Sequence, residues 1–220
     1  MKEQNREFAG VFSAKDALAK GMTRQELSRL VTQGSVERLA RGIYALAKMT
    51  PSPFLEIEIL ARKGVDFVVT LESALQVHGF PNATPHAVWI AMKRGARRPK
   101  VDFPLEVVRV DERSLRHGIE ERVLDGVPVR VYSAAKTVAD LFKFRNHVGL
   151  EISIGALKDG LREKRFSVDE LMRAADVDRV RRIVMPYVEG YFGFRMRNVV
   201  VSILEMFVCQ CNSMSELATR

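Results

Sequence analysis

Apolar and polar positions alternate in the first fifty residues in a way that predicts two short helices followed by a hairpin. In the second helix, over residues 24–33, Leu27, Leu30 and Val31 have the i, i+3, i+4 spacing of a buried stripe. Residues 36–46 then hold regularly spaced apolar positions on both sides of a tight turn. The pattern predicts a small helical unit that is closed by a two-stranded hairpin.

Local signals at the helix ends support this interpretation. Ser13 with Asp16, and Thr23 with Glu26, have the spacing of capping boxes, in which the cap residue and the third helical residue bond to each other. Gly21 lies between the helices, in a turn where glycine adopts a positive φ at little cost. This order of elements predicts a winged helix-turn-helix; an ordinary helical hairpin with a solvated polar face is the alternative.

The second predicted helix carries a polar face whose side chains suit contacts with DNA. Gln25 and Arg29 can make paired hydrogen bonds to adenine and guanine in the major groove, and serine or threonine can contact bases or phosphates. Basic residues of the hairpin would face a phosphate backbone. The predicted DNA-binding residues are Thr23, Arg24, Gln25, Ser28, Arg29, Thr32, Gln33, Arg38 and Arg41.

After residue 54 the pattern changes to strands first and helices last. Strands are predicted over residues 66–69, 87–91 and 105–110, and a hairpin is predicted over residues 121–132 around Asp125-Gly126. Two helices are predicted among them, over residues 54–63 and 71–78. Further helices are predicted over residues 134–144, 150–164, 168–175 and 178–188. The fold class is therefore predicted as α+β, with the winged helix-turn-helix followed by a mixed α/β second domain that ends in a helical bundle.

The charge of the chain favours a polyanionic partner. Its 35 Lys and Arg against 27 Asp and Glu give a net charge of +8, and nine basic against five acidic residues place +4 of it in residues 1–50. Residues 93–100 hold five further basic residues and no acid: Lys93, Arg94, Arg97, Arg98 and Lys100. This run predicts either a second phosphate-binding strip or a mobile solvated loop, since Gly95 and Pro99 disfavour a helix.

Motifs typical of an active centre or a metal site are missing from the sequence. The four histidines are scattered, and Cys209 with Cys211 lacks the second ligand pair of a zinc site. Glu106, Asp111 and Asp125 lie near predicted strands, but none stands in the acid-x-Lys pair of a metal-dependent nuclease. We therefore expect no enzymatic activity, no metal and no cofactor.

Targeting signals are also missing. The first residues lack the apolar core of a secretory signal, and no run of 18 or more apolar residues occurs. The chain has only two cysteines, too close together for an ordinary structural disulfide. These features predict a cytoplasmic protein without a membrane partner.

Two segments together resemble a known family. The first combines Phe12-Ser13, Gly21-Met22-Thr23 and Leu39-Ala40-Arg41-Gly42-Ile43-Tyr44, and the second is Val131-Tyr132-Ser133-Ala134-Ala135-Lys136-Thr137-Val138-Ala139-Asp140-Leu141-Phe142-Lys143-Phe144-Arg145. They are similar to the N-terminal winged helix and the second-domain signature of AbiEi-type antitoxins, which belong to type IV toxin–antitoxin (abortive-infection) systems of bacteria. The resemblance extends over roughly residues 8–189.

The resemblance implies a function and a set of partners. Such proteins repress their own operon by binding double-stranded operator DNA, often at inverted repeats, through the N-terminal domain. The second domain counteracts a nucleotidyltransferase-like toxin, and direct binding of that toxin is not required. A homodimer on DNA and two monomers that bind cooperatively both fit such an operator. The domains implied are residues 1–50 for DNA binding, 51–190 for the antitoxin function and 191–220 as a divergent tail.

The second segment contains a charged helical face. Lys136, Asp140 and Lys143 have i, i+4, i+7 spacing, and Arg145 lies just beyond them. This face is predicted either as an antitoxin surface that contacts RNA, a phosphate-bearing target or a partner, or as a solvated pair of salt bridges worth ~0.3–0.5 kcal/mol each. Both interpretations place the four side chains on the surface.

Some alternatives stay open at this stage. The chain can instead be a winged-helix transcription factor whose second domain senses a small molecule, without a toxin, or a DNA-processing enzyme that uses the winged helix for targeting. The tail over residues 191–220 fits an amphipathic helix that docks on the second domain or on another copy, and Met196-Arg197-Asn198-Val199 faintly resembles the opening of the partner toxin.

Overall fold

The structure is a computed structural model that describes residues 8, 10–48, 50, 52–81 and 83–193. Helices and strands are interspersed along this part of the chain, and the strands form two β-sheets, which confirms the predicted mixed α+β class. Every helix within the described residues is too short or too polar to cross a membrane. The predicted tail begins within a helix that continues to residue 193, and its remainder lies outside the described residues.

The N-terminal elements follow the predicted order. They are β1 (Phe12–Ser13), α1 (Ala14–Ala19), α2 (Arg24–Thr32), β2 (Val36–Ala40) and β3 (Ile43–Leu46), and the strands form an antiparallel sheet in the order β1-β3-β2. Both capping boxes form, and Gly21 has a φ of 76° in the turn between the helices. Leu27 packs with Phe12, Ala17 and Val36 in a small core, as the apolar stripe predicts.

The rest of the described chain is built on a five-stranded sheet. Its elements are α3 (Leu55–Arg62), β4 (Val68–Val69), α4 (Leu71–Val77), β5 (Val88–Lys93), β6 (Leu105–Val110), α5 (Glu112–Arg116), β7 (Ile119–Leu124), β8 (Val127–Tyr132), α6 (Ala134–Lys143), α7 (Arg145–Val148), α8 (Leu150–Arg162), α9 (Val168–Val177) and α10 (residues 181–193). The strand order is β6-β5-β4-β8-β7, with parallel pairs β5–β6 and β4–β8. Asp125 and Gly126, at φ 43° and 81°, form the predicted hairpin turn between β7 and β8.

Successive residues of each strand point to opposite faces of this sheet, and each face is covered by helices. Val69, Ile90 and Val131 pack on one face together with Ile57 and Leu60 of α3. On the other face, the core continues from the strands into α6, α8 and α9. The sheet therefore separates α3 from these three helices, which puts them on opposite sides of the molecule.

The helices of this larger part differ in two ways from those predicted. Asp178 does not begin the last helix; it is the C-cap residue of α9, and Arg179 beside it has a positive φ of 60°. The short helices α5 and α7 were not predicted from the sequence. Each is five residues or fewer, too short to show a periodic apolar stripe.

The N-terminal elements are attached to the larger part by a contact that we call the joint. Val11 and Ile43 pack there against Ile59 of α3, with Leu39, Ala40, Leu55 and Phe103 around them. A salt bridge of 3.3 Å joins Arg62 of α3 to Asp16 of α1. A Cβ atom at Gly10 would lie 2.8 Å from the carbonyl oxygen of Asp125, so only glycine fits there.

Candidate functional site

The polar face of α2 is exposed along its whole length. All nine residues predicted to bind DNA are exposed: Thr23, Arg24, Gln25, Ser28, Arg29, Thr32, Gln33, Arg38 and Arg41. The Thr23 hydroxyl accepts from the Glu26 backbone N–H at 3.1 Å, and the Thr32 hydroxyl donates to the Ser28 carbonyl at 3.1 Å. These two hydroxyls are therefore partly used by the helix itself.

The arginines of this surface have no partners among the residues that the structure describes. Arg24, Arg29, Arg38 and Arg41 make no side-chain hydrogen bond or ion pair within the described part of the chain. Arginine presents five donors in a planar fork that matches guanine or phosphate, so these side chains are available for a polyanion. Gln25 is exposed on the same helix and has both a donor and an acceptor to offer.

The hairpin tip is held in place at its base. Leu39, Ala40 and Ile43, which flank the turn, pack in the joint, and the Gly42 carbonyl accepts from the Ala14 backbone N–H at 2.8 Å. The tip is therefore fixed against the larger part of the molecule, and Arg41 projects from an ordered support.

The predicted basic run lies at the end of β5 and in the loop that follows. All five of its basic residues are exposed. Lys93 pairs with Glu112 at 3.1 Å, and Arg98 donates to the carbonyl of Leu105. Arg94, Arg97 and Lys100 have no side-chain partner among the residues that the structure describes.

A network of charged side chains is buried beneath α6. Lys136 Nζ donates to Asp140 Oδ1 at 2.6 Å and to Asp178 Oδ2 at 2.8 Å. Asp178 Oδ1 also accepts from Ser114 Oγ at 2.7 Å and from Lys143 Nζ at 2.9 Å. We call these five residues the ionic network; it joins α5, α6 and the end of α9.

The prediction of an exposed face through Lys136, Asp140, Lys143 and Arg145 is wrong for its first two members. Lys136 and Asp140 are 0 % and 1 % exposed, so neither an antitoxin surface nor a solvated salt bridge can include them. Lys143 is one-quarter exposed, and Arg145 donates to the Phe142 carbonyl at 2.9 Å. The charged spacing belongs to a buried structural pair, because nearly every residue of α6 is covered by β-strands or helices.

The pKa values of the two carboxylates are shifted in opposite directions. Burial raises the pKa of Asp140 to about 7, an effect that Lys136 opposes and the charge of Asp178 reinforces. Burial acts in the same direction on Asp178, but Lys136, Lys143 and Ser114 outweigh it and hold that pKa below its ordinary value. Near neutral pH the network therefore holds one firmly ionised carboxylate and one that is close to its titration point.

The raised pKa of Asp140 predicts a specific dependence of stability on pH. A carboxyl group with a raised pKa takes up a proton on folding, so its contribution is largest below its ordinary value of 3.8 and is lost as the pH rises to about 7. We expect the stability of the wild type relative to Asp140→Asn to fall over this window and to stay constant above it. Urea unfolding of both proteins at several pH values measures the difference; a rise with pH would contradict the assigned direction.

Acidic residues considered for metal chemistry are not gathered into a site. Asp111 caps α5 by accepting from the Ser114 backbone N–H at 2.9 Å, and Asp125 lies in the β7–β8 turn. Glu106 is exposed on β6. Within the described residues, no group of three or more His, Cys, Asp and Glu could hold a metal ion.

Sequence reasoning missed Asp178, Ser114 and Tyr132 as members or neighbours of the ionic network. The Tyr132 ring lies 4.5 Å from Lys136 Nζ, and its hydroxyl donates to the Ser114 carbonyl at 3.3 Å. One signal was available: α6 is so apolar around Lys136 and Asp140 that it leaves little room for a solvated face. That signal predicts burial of the pair but does not name the distant partners.

Comparison with known proteins gives one family and one fold. Residues 5–47 match the family described as "Transcriptional regulator, AbiEi antitoxin". No curated protein matches the chain. The crystal structure of RV2827C protein from Mycobacterium tuberculosis is similar, with a TM-score of 0.55 and 14% identity over 79% of this chain and 68% of that one. At this identity the likeness concerns the fold alone.

The family match covers α1, α2 and the hairpin, the elements that carry the exposed polar face. It confirms the resemblance inferred from the sequence motifs of this region, which is similar to a family described as transcriptional regulators. Residues 5–47 of the chain are therefore similar to the family of AbiEi antitoxin transcriptional regulators.

Proposed function

We propose that this protein is the DNA-binding repressor and antitoxin of a type IV toxin–antitoxin system. The exposed face of α2 carries the proposal, because Gln25 and Arg29 lie one helical turn apart there, without a side-chain partner in the described part of the chain. In this proposal, residues 1–50 are a winged helix-turn-helix domain: α2 enters the major groove, and the β2–β3 hairpin is the wing. Residues 51–190 form the antitoxin domain.

The proposed operator is the DNA upstream of the protein's own gene, with two half-sites arranged as an inverted repeat. One α2 helix reads only a few base pairs, so two copies are needed for a site of useful specificity. Fluorescence anisotropy of the full chain with its own upstream duplex and a scrambled duplex tests this. We expect a preference of ~10³-fold or more for the native sequence. Equal, weak and steeply salt-dependent binding to both would contradict a repressor.

Substitutions separate the proposed roles of helix and wing. Arg29→Ala is expected to cost ~1–3 kcal/mol at one base pair and to relax sequence preference there, because a paired contact to guanine is lost. Arg41→Ala is expected to weaken binding to all sequences alike and to reduce the salt slope by about one unit. Titration of both variants against native and mutated operators checks this. If Arg41→Ala alters specificity and Arg29→Ala does not, the assignment of helix and wing is reversed.

The antitoxin role is proposed to involve a nucleotidyltransferase-like toxin encoded beside this gene, without a requirement for a stable complex. A neighbouring gene whose expression arrests growth provides the test. We expect the full chain to restore growth, and we expect Arg29→Ala to restore it equally well, since operator binding and toxin antagonism lie in different domains. A ligand-responsive regulator without a toxin is the alternative, and a neighbourhood that lacks such a gene favours it.

A further inference from the structure

We propose that the basic segment over residues 93–100 continues the DNA-binding surface beyond the hairpin, so that the larger part of the chain also contacts the phosphate backbone. The partner is double-stranded DNA that flanks the base pairs read by α2. This inference rests on the proposed function, because it requires a duplex already seated on α2.

The joint places this segment beside the hairpin tip. Phe103 packs against the cluster of Val11, Ile43 and Ile59, and Leu39 and Ala40, which precede Arg41 in the hairpin, pack against the same cluster. Phe103 also contacts the core beneath the five-stranded sheet, so it anchors its loop to both parts of the molecule. The basic segment is therefore fixed next to the hairpin by packing.

A hydrogen bond fixes the same loop from the side of α3. Lys63 Nζ, at the end of α3, donates to the carbonyl of Lys100 at 3.0 Å. Lys100 precedes Phe103 by three residues, so the backbone is held at two nearby points. An ordered loop loses less conformational entropy when its side chains bind a ligand.

The charges of the segment are available for a polyanion. Arg94, Arg97 and Lys100 are exposed and have no side-chain partner among the described residues, as is also true of Arg38 and Arg41 in the hairpin. Between residues 94 and 104 the sequence has a single acid, Asp102. Cations that are left unpaired on a protein surface and aligned beside one another are typical of backbone contacts with nucleic acid.

The size of a duplex brings surfaces beside the hairpin within reach of DNA that is bound at α2. One turn of B-DNA is ~34 Å long, which is about two and a half times the length of the nine-residue helix α2 at ~1.5 Å per residue. A duplex seated on α2 and the hairpin therefore extends over neighbouring surfaces. The basic segment is the neighbouring surface that the joint holds against the hairpin.

The test uses duplexes of two lengths and one pair of substitutions in the full chain. The short duplex covers the base pairs protected by α2 and the hairpin. Each of two long duplexes adds about ten base pairs, one helical turn, at one end of the short duplex, and the two are extended at opposite ends. Arg97→Ala with Lys100→Ala is the test variant. Lys158→Ala with Arg173→Ala is the matched control, because both residues are exposed on α8 and α9, on the opposite side of the sheet.

We expect the test variant to lose roughly two units of the slope of log Kd against log salt on one long duplex, at ~0.9 unit for each phosphate contact. The loss should be the same for any flanking sequence, smaller on the short duplex and absent in the control variant. All four side chains are exposed, so circular dichroism melts should match those of the wild type.

Two results would overturn the inference, and they are distinguishable from each other. If the test variant and the wild type have equal slopes on both long duplexes while Arg29→Ala weakens binding, the segment does not contact DNA and the proposed function stands. If the wild type itself binds no duplex, the proposed function fails and the inference fails with it.

Discussion

Replacement of Lys136 by methionine is expected to lower the free energy of unfolding by roughly 3–5 kcal/mol at neutral pH, because it leaves buried carboxylates without their main cation. Lys136 is the cation that contacts both Asp140 and Asp178. Methionine keeps a long, flexible apolar side chain, so little of the loss comes from packing. Urea denaturation followed by the fluorescence of Trp89, the single tryptophan, measures the change.

Lys158→Met provides the control for this substitution. Lys158 is exposed on α8, so the same chemical change should alter the free energy of unfolding by less than ~0.5 kcal/mol. Adding Asp140→Asn to Lys136→Met should recover part of the loss, since without Lys136 the raised pKa of Asp140 makes this carboxyl take up a proton on folding, a cost that asparagine avoids. A cost below ~1 kcal/mol for Lys136→Met alone would mean that the network is not held together by its charges.

Two glycine-to-alanine substitutions in α8 are expected to have opposite signs. A Cβ atom at Gly160 would overlap with the Phe166 ring, so we expect Gly160→Ala to destabilise the protein by ~1–3 kcal/mol through overpacking. At Gly155 a Cβ atom meets nothing within 4 Å, so Gly155→Ala should stabilise it by ~0.5–1 kcal/mol through helix propensity. Thermal and urea unfolding of both variants gives the comparison.

A second variant shows whether the Phe166 ring is responsible. On a Phe166→Leu background, Gly160→Ala should cost less, because the smaller side chain leaves room for the added methyl group. Stabilisation by Gly160→Ala in the wild type would contradict the close contact between α8 and the loop before α9.

The features that sequence reasoning predicted well depend on neighbours in the chain. Both predicted capping boxes, at Ser13 and Thr23, form as their spacing indicates. The hairpin at Asp125-Gly126 forms because its turn residues adopt positive φ readily. In each case the physical cause lies within a few residues, so a single sequence carries the whole signal.

The features that were not predicted depend on partners far along the chain. Asp178 meets Lys136 across 42 residues, and no local pattern at Asp178 indicates that contact. The same holds for Ser114, whose hydroxyl reaches Asp178 across 64 residues. Without the sheet that brings α5, α6 and α9 together, Lys136 and Asp140 have only their i, i+4 spacing, which is more typical of a solvated pair.

The candidate DNA-binding surface lies between these two cases. Its residues are exposed on α2 and the hairpin as the amphipathic pattern predicts, because a helix with one apolar stripe leaves its other positions to solvent. The position of that surface relative to residues 93–100 could not be predicted, since it depends on Phe103 and on the packing of α3.

The joint has a consequence for how such a chain can be recombined. A domain on a flexible linker can be exchanged for another reader of DNA with little regard for its back surface. Here a replacement would have to present an apolar patch to Ile59, a carboxylate to Arg62 and a glycine beneath the Asp125 carbonyl. A graft without these three features should purify as a poorly ordered chimera. The DNA specificity of such a chain is therefore more readily changed by substitution of the exposed residues of α2 than by exchange of the whole N-terminal part.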